Sequence, residues 1–340
     1  MNNDQIMEAL AARAMRREGR REFIKAASVS AVAVTALGAC GSNNNDFNPP
    51  VPPPPPVVVA PPPPPPPPPA VVIGDPEILN FALNLEYLEA EFYSYAVFGT
   101  GLPADLRTGS GTQGMVTEGR KVAFTDPVVA QYAQEIAEDE IAHVRFLRTA
   151  LGANGRVSEP AIDVGVGPNN AFSQFARGAG LIGPGDTFNP YANDDAFLLG
   201  AFIFEDVGVT AYKGASPLIT SPAFLTAAAG ILAAEAYHAG LVRTILYRRG
   251  VTGDIRYRTE SISAFRDALD TSGDSDQGVI GTADASNIVP ADANGLAFSR
   301  TAGQVLNIVY ANSSVATMGG FFPAGVNGVI RSSTGVTRAA

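Results

Sequence analysis

The stretches LEYLEAEFY, EIAEDEIAHVRF, FIFEDVGVTAYK and ILAAEAYHAGLV contain both histidines of the chain, each at a fixed distance from a glutamate. Glu86 stands seven residues before Tyr93, Glu140 three before His143, Glu205 seven before Tyr212, and Glu235 three before His238. Three and seven residues are close to one and two helical turns, so the members of each pair share a helix face. The order E-x6-Y, E-x-x-H, E-x6-Y, E-x-x-H is one helix-hairpin unit used twice. It calls for an all-α, four-helix bundle in which each helix turns a carboxylate inwards and two add an imidazole.

Two divalent ions about 3.5–4 Å apart suit such a set, because carboxylates bridge the pair and histidines fill terminal positions. Four glutamates against two divalent cations leave a neutral cluster, which removes most of the penalty for burying charge. The metal ligands read from the pattern are Glu86, Glu140, His143, Glu205, Glu235 and His238, with hydrogen bonds to them from Tyr93 and Tyr212. Glu86 is preferred to Glu89 because it alone matches the E-x6-Y of the third helix, while Glu138 points elsewhere. Leu79, Leu83, Phe202, Val209, Leu232 and Val242 would supply apolar layers around the centre. Two buried, hydrogen-bonded core histidines are the competing reading, and the repeated order weighs against it.

Helix signals place the bundle within residues 75–250. Asp75-Pro76 and Asp126-Pro127 read as an N-cap followed by proline, a third helix runs from about residue 194, and a fourth follows Ser221-Pro222. The second helix stops near Gly152, and the fourth ends at Arg249-Gly250 with basic residues in its last turn. Residues 99–124 and 153–191, rich in Gly, Pro, Asn and Asp, read as long surface loops. Residues 251–340 read as an extension folded back on the bundle, with short helices at 261–270 and 301–311.

The first 39 residues read as a targeting segment. Arg20-Arg21 precedes an apolar run too short to span a bilayer comfortably, and that run ends in Leu37-Gly38-Ala39-Cys40. The arginine pair resembles a twin-arginine export signal, and the last four residues resemble a lipobox that would acylate Cys40 and tether the chain to a membrane. Residues 40–74 read as a polar and proline-rich spacer, whose prolines would span about 60 Å as polyproline II. Cys40 is the one cysteine, so no internal disulfide exists. The net charge of −10 disfavours nucleic acid, which calls for a basic footprint.

Taken together, these motifs resemble the ferritin-like superfamily of di-metal carboxylate four-helix bundles. ILNFALNLEYLEAEFY, SRTAGQVLNIVY and GGFFPAGVNG resemble, more narrowly, the ferritin-like, desiccation-related protein family, over about residues 75–328. The resemblance implies an up-down-down-up bundle with a long crossover at 153–191 and the six ligands named above. Two functions follow as expectations. One is an exported, lipid-anchored di-iron or di-manganese protein of stress protection, acting on peroxide or oxygen as a peroxidase, catalase-like enzyme or ferroxidase. In it Glu140 and Glu235 bridge the metals, and Glu86, Glu205 and the histidines are terminal. The other is a non-enzymatic envelope or desiccation protein whose metal only staples the helices. Expected partners are a membrane surface, a small oxidant and, compatibly with either function, further copies of the chain. The absence of a C-x-x-C pair excludes a rubredoxin-type electron-transfer site.

Overall fold

A computed structural model describes residues 73–250, 253–270, 273 and 275–335. The targeting segment, Cys40 and the proline-rich run lie outside the described residues. Among the described residues there are eight α-helices, and four long ones make the bundle: α1 (Asp75–Phe98), α3 (Pro127–Gly155), α5 (Asp194–Ala215) and α6 (Pro222–Arg249). Each starts where local chemistry meets its free amides. Asp126 accepts from the Val128 N–H at 2.9 Å and Asn193 from the Ala196 N–H at 2.9 Å, while the Ser221 hydroxyl accepts from the Phe224 N–H. At α1 the cap is Gly74 and not Asp75, with Glu77 accepting from the Gly74 N–H at 3.0 Å. Asp75 is free for another task, described below. Gly152, at φ 71°, breaks the helical path of α3 where the sequence placed its end.

Burial divides the four helices into two kinds. α1 and α5 are enclosed on nearly every side, whereas α3 and α6 each bury one stripe, which includes Glu140, Glu235 and His238, with His143 at its edge. α1 packs chiefly on α3 and α5 on α6, and the two pairs also meet along α1 and α5. The cover over α1 and α5 comes from the connections and the C-terminal region.

Of those connections, the first is largely exposed, as expected, whereas the crossover buries much of its length. The first holds α2 (Ala104–Arg107) and β1 (Val116–Thr117), and the crossover holds β2 (Ile162–Asp163) and α4 (Ala171–Gly178). β1 and β2 pair in parallel, Val116 opposite Ile162. Phe172, from α4, stacks into an aromatic cluster with Phe92 of α1 and Phe321 of the C-terminal region, at centroid separations of 5.3 and 5.0 Å. A composition rich in Gly, Pro and Asn signals irregular backbone, which stays buried when side chains satisfy it. Asp163 does so, accepting from Gly165 N–H, Ala171 N–H and the Asn170 amide.

Beyond α6 come α7 (Ile255–Asp270) and α8 (Ala302–Val309). α7 begins six residues before its expected start. Its buried stripe includes Thr259, Ser263 and Arg266 beside Ile255, Ile262 and Leu269, so hydrophobic periodicity alone underestimates it.

Candidate metal centre

Glu86 of α1, Glu140 and His143 of α3, Glu205 of α5, and Glu235 and His238 of α6 converge in the middle of the bundle. Donor atoms of Glu86, Glu140, His143 and Glu235 lie within 4.8 Å of one another, as do those of Glu140, Glu205 and His238. Glu140 belongs to both sets. His143 Nδ1 is 3.2 Å from Glu86 Oε2, 3.5 Å from Glu140 Oε2 and 3.8 Å from Glu235 Oε1. His238 Nδ1 is 3.1 Å from Glu140 Oε1 and 3.7 Å from Glu205 Oε2. All six residues named from the sequence are thus brought together. Glu138 points to solvent, where Gln134 donates to it.

The donor set fits a cation. Both oxygens of Glu140, both of Glu235, Glu205 Oε2 and His238 Nδ1 are buried and have no hydrogen-bond partner. Each such atom left unmet costs about 1–3 kcal/mol, more when charged. His238 Nδ1 faces Glu140 at 3.1 Å without hydrogen-bonding geometry, as two lone pairs aimed at a common point would. Burial pushes Glu86 up to about 7 and Glu205 up to about 8, and lifts Glu235 and Glu89 well above the usual carboxylate range. Burial acts on Glu140 in the same direction, but the two imidazoles that face it at 3.5 and 3.1 Å outweigh it and hold Glu140 at about 2.

The tyrosines exchange partners between hairpins. Tyr93 of α1 donates to Glu205 Oε1 of α5, and Tyr212 of α5 donates to Glu86 Oε1 of α1. The same reciprocity governs two aspartates that stand eleven residues before Glu86 and Glu205. Asp75 accepts from the Thr220 and Ser221 N–H groups at the start of α6, both at 2.8 Å. Asp194 accepts from the Thr125 and Asp126 N–H groups at the start of α3, both at 3.1 Å.

A further pair is internal to each hairpin. Arg148 and Arg243, five residues after His143 and His238, are both buried. Arg148 donates to the Tyr87 hydroxyl and to the Thr108 and Asp105 carbonyls. Arg243 binds Asp206 Oδ2 at 2.7 Å and donates to the carbonyls of Gln277, Gly278, Asn287 and Ile288. Tyr87 and Asp206 directly follow Glu86 and Glu205. The repeat is therefore D-x10-E-x6-Y with E-x-x-H-x4-R, and its extra members are visible in the sequence once the two halves are aligned on their glutamates. Two positions break the symmetry: Glu89 answers to Gly208, and Asp139, which lies 3.1 Å from His238 Nε2, answers to Ala234. Phe202, expected among the apolar layers, is buried and also carries cations on its ring. It lies under the guanidinium groups of Arg243 and Arg266, at 5.4 and 4.8 Å from its ring centroid.

Four helices that present four carboxylates and two imidazoles to one buried point define the class of carboxylate–histidine four-helix bundles. The chain belongs to the ferritin-like family: the family model described as ferritin-like domain matches residues 74–248. It is 32% identical over 267 residues to the desiccation-related protein PCC13-62 of Craterostigma plantagineum, covering 73% of this chain and 82% of that protein. It is 29% identical over 272 residues to the ferritin-like catalase Nec2 of Nesocodon mauritianus, covering 75% of this chain and 84% of that protein.

Proposed function

We propose that the centre binds two divalent ions, iron or manganese, and that the protein uses them on hydrogen peroxide, by dismutation, or on dioxygen. The six buried, unpartnered ligand atoms carry the reading. The relative named a ferritin-like catalase supports the choice of reaction. Bound metals supply the redox exchange that no side chain of the centre can provide. The residues do the rest. Tyr93 and Tyr212 occupy one oxygen each of Glu205 and Glu86, leaving Oε2 of both to the centre. The enclosed α1 and α5 shut water out on their side. A small oxidant enters on the α3 and α6 side, where the His143 side chain is 13% and the Asp139 side chain 48% exposed. Glu89, a buried carboxyl at the centre outside both ligand sets, is the group assigned to take and return the proton.

We further place the protein outside the cytoplasm, tethered through Cys40 and the proline-rich spacer. The twin-arginine pair and the LGAC sequence support this location. The relative named for desiccation favours a second reading, a protective bundle in which the metal is a staple.

Metal content by plasma mass spectrometry and oxygen evolution from peroxide, on wild type and Glu205→Ala, separate the two. The first reading expects about two ions per chain and turnover that the variant loses. Metal without turnover selects the staple. Less than about half an ion in wild type overturns both metal-bearing forms.

A further inference from the structure

The contacts described above that cross between hairpins come in reciprocal pairs, with one exception. Tyr93 on Glu205 is matched by Tyr212 on Glu86, and Asp75 at the start of α6 by Asp194 at the start of α3. Asp139 of α3 reaches His238 Nε2 of α6 at 3.1 Å. Its equivalent, Ala234, has no polar side-chain atom to offer His143.

We propose that Asp139 is a positioning residue for the His238 half of the centre alone, so that the two halves hold their ions unequally. The inference rests on the metal reading above. A carboxylate at Nε2 decides which ring nitrogen carries the hydrogen: Nε2–H donates to Asp139 Oδ2, and the lone pair of Nδ1 is left for the centre. Nδ1 does face inwards, towards Glu140 Oε1 and Glu205 Oε2. The same bond fixes the plane of the ring and makes its nitrogen a better donor to a cation. His143 also turns Nδ1 inwards, towards Glu86, Glu140 and Glu235, but α6 supplies no carboxylate behind it. One imidazole is locked from outside the centre and the other is held only by the ligands themselves. Asp139 and Ala234 are both partly buried on the outer flanks of their helices, so either can be exchanged without opening the core.

Titrating the metal-free full-length chain with Co(II), read by its visible absorption, tests this on wild type, Asp139→Asn and Ala234→Asp. Asp139→Asn is expected to weaken one of two uptake steps by about 10–100-fold and to leave the other in place. Ala234→Asp is expected to strengthen the step that Asp139→Asn does not touch. Circular dichroism of each metal-free variant establishes the fold, and Ala234→Asp, which only adds a group, keeps the test alive if Asp139→Asn unfolds. Equal shifts of both steps, no shift of either, or both substitutions acting on the same step overturn the proposal. Failure of unsubstituted chain to take up Co(II) overturns the metal reading, and this inference with it.

Discussion

Gly208 stands one turn beyond Glu205, and a Cβ there would come within 2.1 Å of Glu235 Oε2 and 3.6 Å of Glu89 Oε1. The first hairpin contributes a carboxyl at this repeat position and the second contributes the space for it. Gly208→Ala must move Glu235 or push α5 aside, at a cost of about 1–3 kcal/mol for overpacking. The expected outcome is a chain that folds but retains less metal after dialysis against a weak chelator, by about tenfold or more. Proton binding at the same residues gives a second expectation. Burial pulls His143 and His238 down, but the facing carboxylates outweigh it and lift them to about 11 and about 10, while burial lifts Glu205 to about 8. At pH 7 the metal-free chain therefore carries a proton on each of these three, and a cation must displace all of them. Uptake should release at least three protons at pH 7 and weaken as the pH falls. Calorimetry in buffers of different ionisation enthalpy measures the release, and uptake without it would contradict the geometry.

Among elements, the long helices were legible because each begins with a capping side chain or a proline and then repeats its apolar residues at helical spacing. The two E-x-x-H frames were legible because the chain has no other histidine to confuse them. Asp139 was hidden in an acidic run between Glu138 and Glu140, where spacing alone does not show which carboxylate faces which helix. Arg148 and Arg243 lie among the basic residues common towards the end of a helix, and only burial separates them from Arg248, which is exposed. The crossover was misjudged because it packs against α1. One such contact has a pH signature. Glu159, just past β-bridged Val157, faces Glu91 of α1 in the interior, and Arg107 pairs with its other oxygen. Burial first, and then Glu91, push Glu159 up to about 9. A raised carboxyl contributes stability below its unfolded value that is lost as the pH rises through the folded one. Wild type should therefore lose thermal stability between about pH 5 and pH 9, and Glu159→Gln should flatten that slope in melting curves taken across the range.

At the scale of the whole molecule, the C-terminal region is bolted to the bundle by charge inside an apolar setting. Arg266 binds Asp206 and Asp276 at 3.1 and 2.6 Å, and Arg300 binds Asp270 and Asp276 at 2.5 and 2.8 Å. Arg243 joins this network from α6 through Asp206. Asn327 closes the far end, exchanging hydrogen bonds with Asn84 of α1 while its amide donates to the carbonyls of Thr112 and Ser158. Removing one member of a buried ion pair costs about 3–5 kcal/mol, because the other charge stays behind. Arg243→Ala is expected to lower the unfolding free energy measured in urea by about 3–5 kcal/mol, with Arg248→Ala as an exposed control that stays within about 0.5 kcal/mol. The exchanged tyrosines and aspartates bear on how the chain could be divided. Each hairpin's glutamate is finished by the other's tyrosine, and the entry to each hairpin's second helix is held by the other's aspartate. A cut in the crossover would yield two fragments, neither with a complete centre, each carrying the groups the other lacks. The symmetry is that of a dimer written into one polypeptide, with Asp139 as a place where its two copies have ceased to be interchangeable.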